Sequence, residues 1–143
     1  MIEVADPQAL KAHIGTVIAG SVFNITDTMV DDFIALSGDA NVIHARSAQP
    51  RTVPGNLLVV MVPKIVQACI RVDGARAVAA SLEKVRFPTS LLVNAAVHPT
   101  VCIEQVRAQG EGVFVTVDVV FKDVDGQIVM TARTLDHYTN GIG

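Results

Sequence analysis

The spacing of apolar and polar residues changes several times along the chain, and each change marks an element. Thr16 to Ile25 is rich in β-branched residues and predicts a first strand. Thr26 then stands where an N-cap belongs, with Asp27 and Asp31 in the first turn, where the helix dipole favours acids. Met29, Val30, Phe33, Ile34 and Leu36 recur at helical spacing, and Gly38 is placed to end that helix. Asp39 to Pro54 has no steady period and holds Asn41, Pro50 and Pro54, so it predicts a loop. From Gly55 to about Arg71 the chain is apolar on almost every side, which predicts one long helix buried all round, bent at Pro63. The remainder is strand-like: Ala77 to Phe87, Val93 to Gln109, an alternating Val113 to Phe121, and Ile128 to Tyr138. Asp125-Gly126 predicts a tight hairpin between the last two. Strand, helix, loop, buried helix and four strands predict an α+β domain, an antiparallel sheet wrapped around one central helix.

Composition narrows the class. The 143 residues fit one domain, 1–143, large enough to bury a core without staples. Half of them are hydrophobic but only 4% are aromatic, so Val, Ala, Leu and Ile carry the packing. A net charge of -3 argues against a nucleic-acid partner, which would select a basic face. The two cysteines, Cys69 and Cys102, lie far apart in apolar stretches and read as buried free thiols in a reducing compartment. Met1 to Ala12 carries Glu3 and Asp6 and lacks an apolar signal core. Leu57 to Val66 is too short to span a bilayer. A cytoplasmic protein without membrane association is expected.

The richest chemistry lies in Ser37-Gly38-Asp39-Ala40-Asn41-Val42-Ile43-His44, where one loop holds a carboxylate, an amide and an imidazole. An imidazole titrates near neutrality, and a carboxylate beside it can move a proton or orient a water. The same residues also suit a purely structural loop, with Asp39 and Asn41 as turn residues and His44 as a satisfied histidine. His98, before Pro99, reads as a surface histidine, and His137 and Tyr138 fall in the last strand. Ser81 and Ser90 have no adjacent base in sequence, and no metal-ligand spacing or Gly-rich phosphate loop is present. No metal or cofactor is expected.

From about Gly15 to Tyr138 the chain resembles the MaoC-like dehydratases and (R)-specific enoyl-CoA hydratases, which have the hot-dog fold. Three signatures carry the resemblance, in order. Phe33-Ile34-Ala35-Leu36-Ser37-Gly38-Asp39-Ala40-Asn41-Val42-Ile43-His44 follows the family's helix and loop. Val53-Pro54-Gly55-Asn56-Leu57 stands at the start of its buried helix. Lys84-Val85-Arg86-Phe87-Pro88 matches a segment before a long strand. The chain departs from the pattern at Val42 (usually Pro), Pro54 (usually His), Pro63 (where some hydratases have Ser) and Arg46 (usually an acid).

The resemblance implies a five-stranded antiparallel sheet around a long central helix, assembled as a homodimer. It implies that Asp39 and His44 hold the water that adds to, or leaves, the β-carbon of an acyl thioester on coenzyme A or an acyl carrier protein. The N–H of Gly55 would meet the thioester oxygen, with Asn56, Asn41 and Ser37 as further substrate-binding candidates, Asn41 also fixing the loop. Leu57, Leu58 and Met61 would line the acyl tunnel, although core packing is the stronger reading for all three. Arg51, Lys84 and Arg86 would meet the carrier phosphates, with a solvated rim as the alternative reading. Two rivals share the fold: an acyl-thioester hydrolase using Asp39 to activate water, and a non-catalytic acyl-binding or partner subunit.

Overall fold

The computed structural model describes residues 1–140. In chain order its elements are β1 (Ile2–Val4), a 3-10 segment (Pro7–His13), β2 (Val17–Ala19), β3 (Phe23–Asn24), α1 (Asp27–Ser37) and a 3-10 turn (Val42–His44). There follow α2 (Gly55–Val60), α3 (Val62–Cys69), β4 (Ile70–Val72), β5 (Ala75–Arg86), β6 (Ala96–Gln109), β7 (Gly112–Lys122) and β8 (Ile128–Asn140). The main sheet runs β2-β6-β7-β8-β5, with β3 also paired to β6, and every pairing in it is antiparallel. The α+β architecture expected from the sequence is present.

Alternation builds the sheet. In β7, Val113, Val115, Val117, Val119 and Phe121 are buried against the helices while the intervening residues are half-buried. They join Leu57, Leu58, Val62, Ile65, Val66 and Cys69 from the helices in one core. The 3-10 segment closes one side with Leu10, which is fully buried.

Four local expectations are corrected. The first strand is not continuous from Thr16 to Ile25: β2 stops before Gly20, where a Cβ would lie 3.1 Å from Pro99 and 3.4 Å from the Cys69 sulfur. The chain passes too close to β6 there for an ordinary residue, and it bends before pairing again as β3. The central helix is two helices, α2 and α3, hinged at Met61. Pro63 lies in the first turn of α3, where its missing N–H removes no bond. Nor is it buried all round: Asn56, Val60, Lys64, Gln67 and Ala68 are exposed. The Asp125-Gly126 hairpin is wider than a two-residue turn. The Asp123 carboxylate accepts from the N–H groups of Asp125 and Gln127, and Gly126 takes the left-handed φ of 80°. β1 and β4, which pair in parallel as a separate small sheet, were not expected. Strands of three residues leave no readable period.

β5 borders the sheet. It pairs with β8 on one side only, and nearly all its residues are exposed, including Val78 and Leu82.

Candidate active site

The loop carrying the site is built by side chains bonding backbone two residues ahead. Thr26 Oγ1 caps α1 by accepting from Met29 N–H, and Gly38 ends it at φ 74°, donating its N–H to Ile34 O. Ser37 Oγ then accepts from Asp39 N–H (3.2 Å), Asp39 Oδ1 from Asn41 N–H (3.0 Å), and Asn41 Oδ1 from Ile43 N–H (3.2 Å). These successive turns lead the chain from the exposed end of α1 to a buried His44. Asp39 is thus a turn residue through Oδ1. Its Oδ2 has no protein partner among the described residues.

His44 is only 8% exposed. Its Nδ1 lies 2.8 Å from Thr52 O, a carbonyl that can only accept. Nδ1 therefore carries the proton, and in the neutral ring Nε2 is a free acceptor. Thr52 Oγ1 lies 3.3 Å from Nδ1 and donates to Ile43 O. Thr52 is itself held between Ile43 and the Leu91–Val93 segment, through Val53 N–H to Leu91 O and Val93 N–H to Arg51 O.

Arg51 locks this loop to α1. It is buried, and its Nε donates to His44 O (2.9 Å), Nη1 to Asp27 Oδ1 (2.7 Å) and Nη2 to Asp31 Oδ1 (2.8 Å). Arg46 adds a second ion pair to Asp31. The guanidinium of Arg51, then that of Arg46, holds the Asp31 carboxyl below the usual carboxylate range. The expectation that Arg51 meets a carrier phosphate is corrected: its donors already face three protein acceptors. Lys84 and Arg86 are exposed on β5, Lys84 at φ 54° beside a bulge, and neither lines the cavity next to His44.

That cavity has a volume of about 160 Å³ and is walled by His44, Thr52, Gly55, Leu58, Phe87 and Ser90, among others. Gly55 opens α2, where its own N–H has no helical partner, whereas Leu57 N–H already donates to Pro54 O. A Cβ at position 55 would stand 3.0 Å from the Phe87 ring, so glycine lets that ring close over the helix start. Asp39 is not in the cavity wall, and no hydrogen bond or ion pair joins it to His44 among the described residues. Of the other expected substrate contacts, Leu58 lines the cavity. Ser37 and Asn56 are exposed, Asn41 is spent on the loop, and Leu57 and Met61 stay in or against the core. Thr52, Phe87, Thr89 and Ser90 reach the cavity without having been singled out as site residues, because their segments approach His44 only in three dimensions. Among the described residues, no group of three His, Cys, Asp or Glu side chains is placed to hold a metal ion, and no helix is long and apolar enough to cross a membrane.

No protein-family model matches the chain, and no curated protein matches it. Solved structures do. A monoamine oxidase regulatory protein from Archaeoglobus fulgidus is 16% identical with a TM-score of 0.78, over 100% of both chains. The (R)-hydratase PhaJ1 of Pseudomonas aeruginosa is 14% identical with a TM-score of 0.73, over 89% of this chain and 82% of that one. The HadBC 3R-hydroxyacyl-ACP dehydratase complex of Mycobacterium tuberculosis is 12% identical with a TM-score of 0.68, over 85% of this chain and 95% of that one. At such identities the likeness establishes the fold: this chain is folded as the hot-dog domain seen in MaoC-like dehydratases and (R)-hydratases.

Proposed function

We propose that the protein is a hydro-lyase interconverting trans-2-enoyl and (R)-3-hydroxyacyl thioesters, carried on coenzyme A or an acyl carrier protein. The observation that carries this reading is His44: buried, held by Thr52 O through Nδ1, and sharing a cavity with Gly55, the first residue of α2. In hydration, His44 Nε2 takes a proton from water as the water oxygen bonds to the β-carbon. The double-bond electron pair moves toward the thioester, where the Gly55 N–H donates to the developing enolate oxygen. Delivery of that proton to the α-carbon completes the addition and leaves the enzyme unchanged. Asp39 would orient the water through Oδ2, across a gap that no direct contact bridges. α2 has six residues, so it offers local N–H donors rather than a long macrodipole. The similarity in fold to an (R)-hydratase and a 3R-hydroxyacyl-ACP dehydratase supports this chemistry.

We further propose a homodimer joined along β5, whose unpaired edge would otherwise be open to non-specific pairing. The test of function is loss of conjugated absorbance when the purified protein meets a short trans-2-enoyl thioester. His44→Ala and Asp39→Asn should each lower the rate by roughly 10²- to 10⁴-fold, the usual worth of a positioned acid or base. Release of free thiol without loss of the double bond would show a thioester hydrolase instead.

A further inference from the structure

Among the described residues no bond joins Asp39 to His44, so their separation is set by what holds each of them. Asp39 follows the end of α1, and His44 comes five residues later. The turns between them are fixed by three hydrogen bonds, donated by the N–H groups of Asp39, Asn41 and Ile43, and all three are exposed. Exposed bonds exchange with water and hold little on their own. A second route joins the same two residues through buried Arg51, and it starts on α1 at the Asp31 carboxylate.

Both oxygens of Asp31 are taken by guanidinium groups that follow His44 in the chain. Oδ1 accepts from Arg51 Nη2 (2.8 Å), and Oδ2 accepts from Arg46 Nε (2.9 Å) and Nη2 (2.7 Å). Arg51 Nε closes the loop by donating to the His44 carbonyl (2.9 Å), and its Nη1 returns to α1 at Asp27 Oδ1 (2.7 Å). Asp31 therefore braces this closed loop at two points and fixes it to the helix that delivers Asp39. An acid at position 46 would face the same carboxylate and push the brace open. The Arg46 side chain is 64% exposed, and ion pairs at such a surface add little to stability. What the second guanidinium does remove is the loop's freedom to turn about Arg51 alone.

We propose that Asp31 is a positioning residue for the proton-transfer pair: through Arg46 and Arg51 it sets the distance from Asp39 to His44 and keeps the His44 ring seated on Thr52 O. The proposal rests on the hydration reading given above. Its test uses a trans-2-butenoyl thioester of N-acetylcysteamine, which has no phosphate for Arg46 to meet. Asp31→Ala should lower kcat about tenfold and leave KM within about twofold, because a misplaced group loses rate rather than binding. Arg46→Gln should lower kcat about threefold with a nearly unchanged urea midpoint. Arg46→Lys, which keeps the charge, should recover most of that loss. A readout independent of turnover is the nitrogen-15 spectrum of the histidine rings in mildly alkaline buffer, with the His44 signals identified by their loss in His44→Ala. Wild-type His44 should show Nδ1 protonated and Nε2 bare, and in Asp31→Ala the two signals should move toward each other as the ring leaves Thr52 O. The proposal is overturned if Asp31→Ala keeps the wild-type kcat, if its loss falls on KM, or if its His44 nitrogen signals match the wild type. A wild type that does not hydrate the thioester would end the hydration reading, and the nitrogen signals would still decide the positioning. Should Asp31→Ala not fold, Arg46→Gln decides by the same two measurements.

Discussion

His44 and Asp136 show how neighbours set the chemistry of a single side chain. The Thr52 carbonyl assigns the His44 proton to Nδ1, so the ring meets its cavity as an acceptor. Much of that loop was legible, because Gly38, Asp39 and Asn41 are residue types that bond nearby backbone and reverse the chain. The free nitrogen of His44 was not, since it depends on a carbonyl eight residues away. At Asp136, burial raises the carboxyl pKa, so the folded state prefers the protonated acid. That contribution is complete below the ordinary carboxylate pKa and is lost as pH rises through the raised one. Asp136→Asn should therefore unfold at higher urea than the wild type at pH 7, with the difference closing as pH falls below the carboxylate range. A variant equally stable at both pH values would contradict this account.

Between elements, the Arg51 clamp joins α1 to the loop that holds His44. Removing a buried guanidinium leaves Asp27 and the His44 carbonyl without their partner and Asp31 with Arg46 alone. Arg51→Ala should lower stability by about 2–3 kcal/mol, read from the urea midpoint. Arg51→Lys should not restore it, because one ammonium lacks the planar fork that reaches three acceptors. Acid should loosen the same joint. The Asp31 pKa is depressed in the folded state, so its stabilising contribution is present above the ordinary carboxylate range and lost as pH falls through the folded value. Arg51 read as a phosphate contact because a charge in a loop shows its sign and not its partner. Pro63 was legible as a break for the opposite reason: proline is tolerated in the first turn of a helix and not in its interior, a local rule that starts a new helix just before it.

For the whole molecule, β5 is the exposed border of the sheet and β6, β7 and β8 are its interior. An open edge with Val78 57% and Leu82 46% exposed is where a second copy would add strands. Wild-type protein should sediment as a dimer. Replacing both residues, Val78→Lys with Leu82→Lys, should give a folded monomer, since charges at an edge oppose pairing. A wild type that sediments as a monomer would remove the assembly proposed above.

The order of elements, the caps of α1, the alternation of β7 and the grouping of Asp39, Asn41 and His44 were written in local spacing. Each depends on periodicity or on bonds spanning a few residues, and such interactions can be read along a chain. Contacts between distant segments settled the rest. Folding alone brought Thr52, Phe87 and Ser90 to His44, tied Arg51 to Asp27 and Asp31, and left a cavity where the small residues of β5 face α2 and α3. A burial pattern tells which side of an element turns inward. Which partner waits there depends on strand order and register, and those are properties of the packed whole.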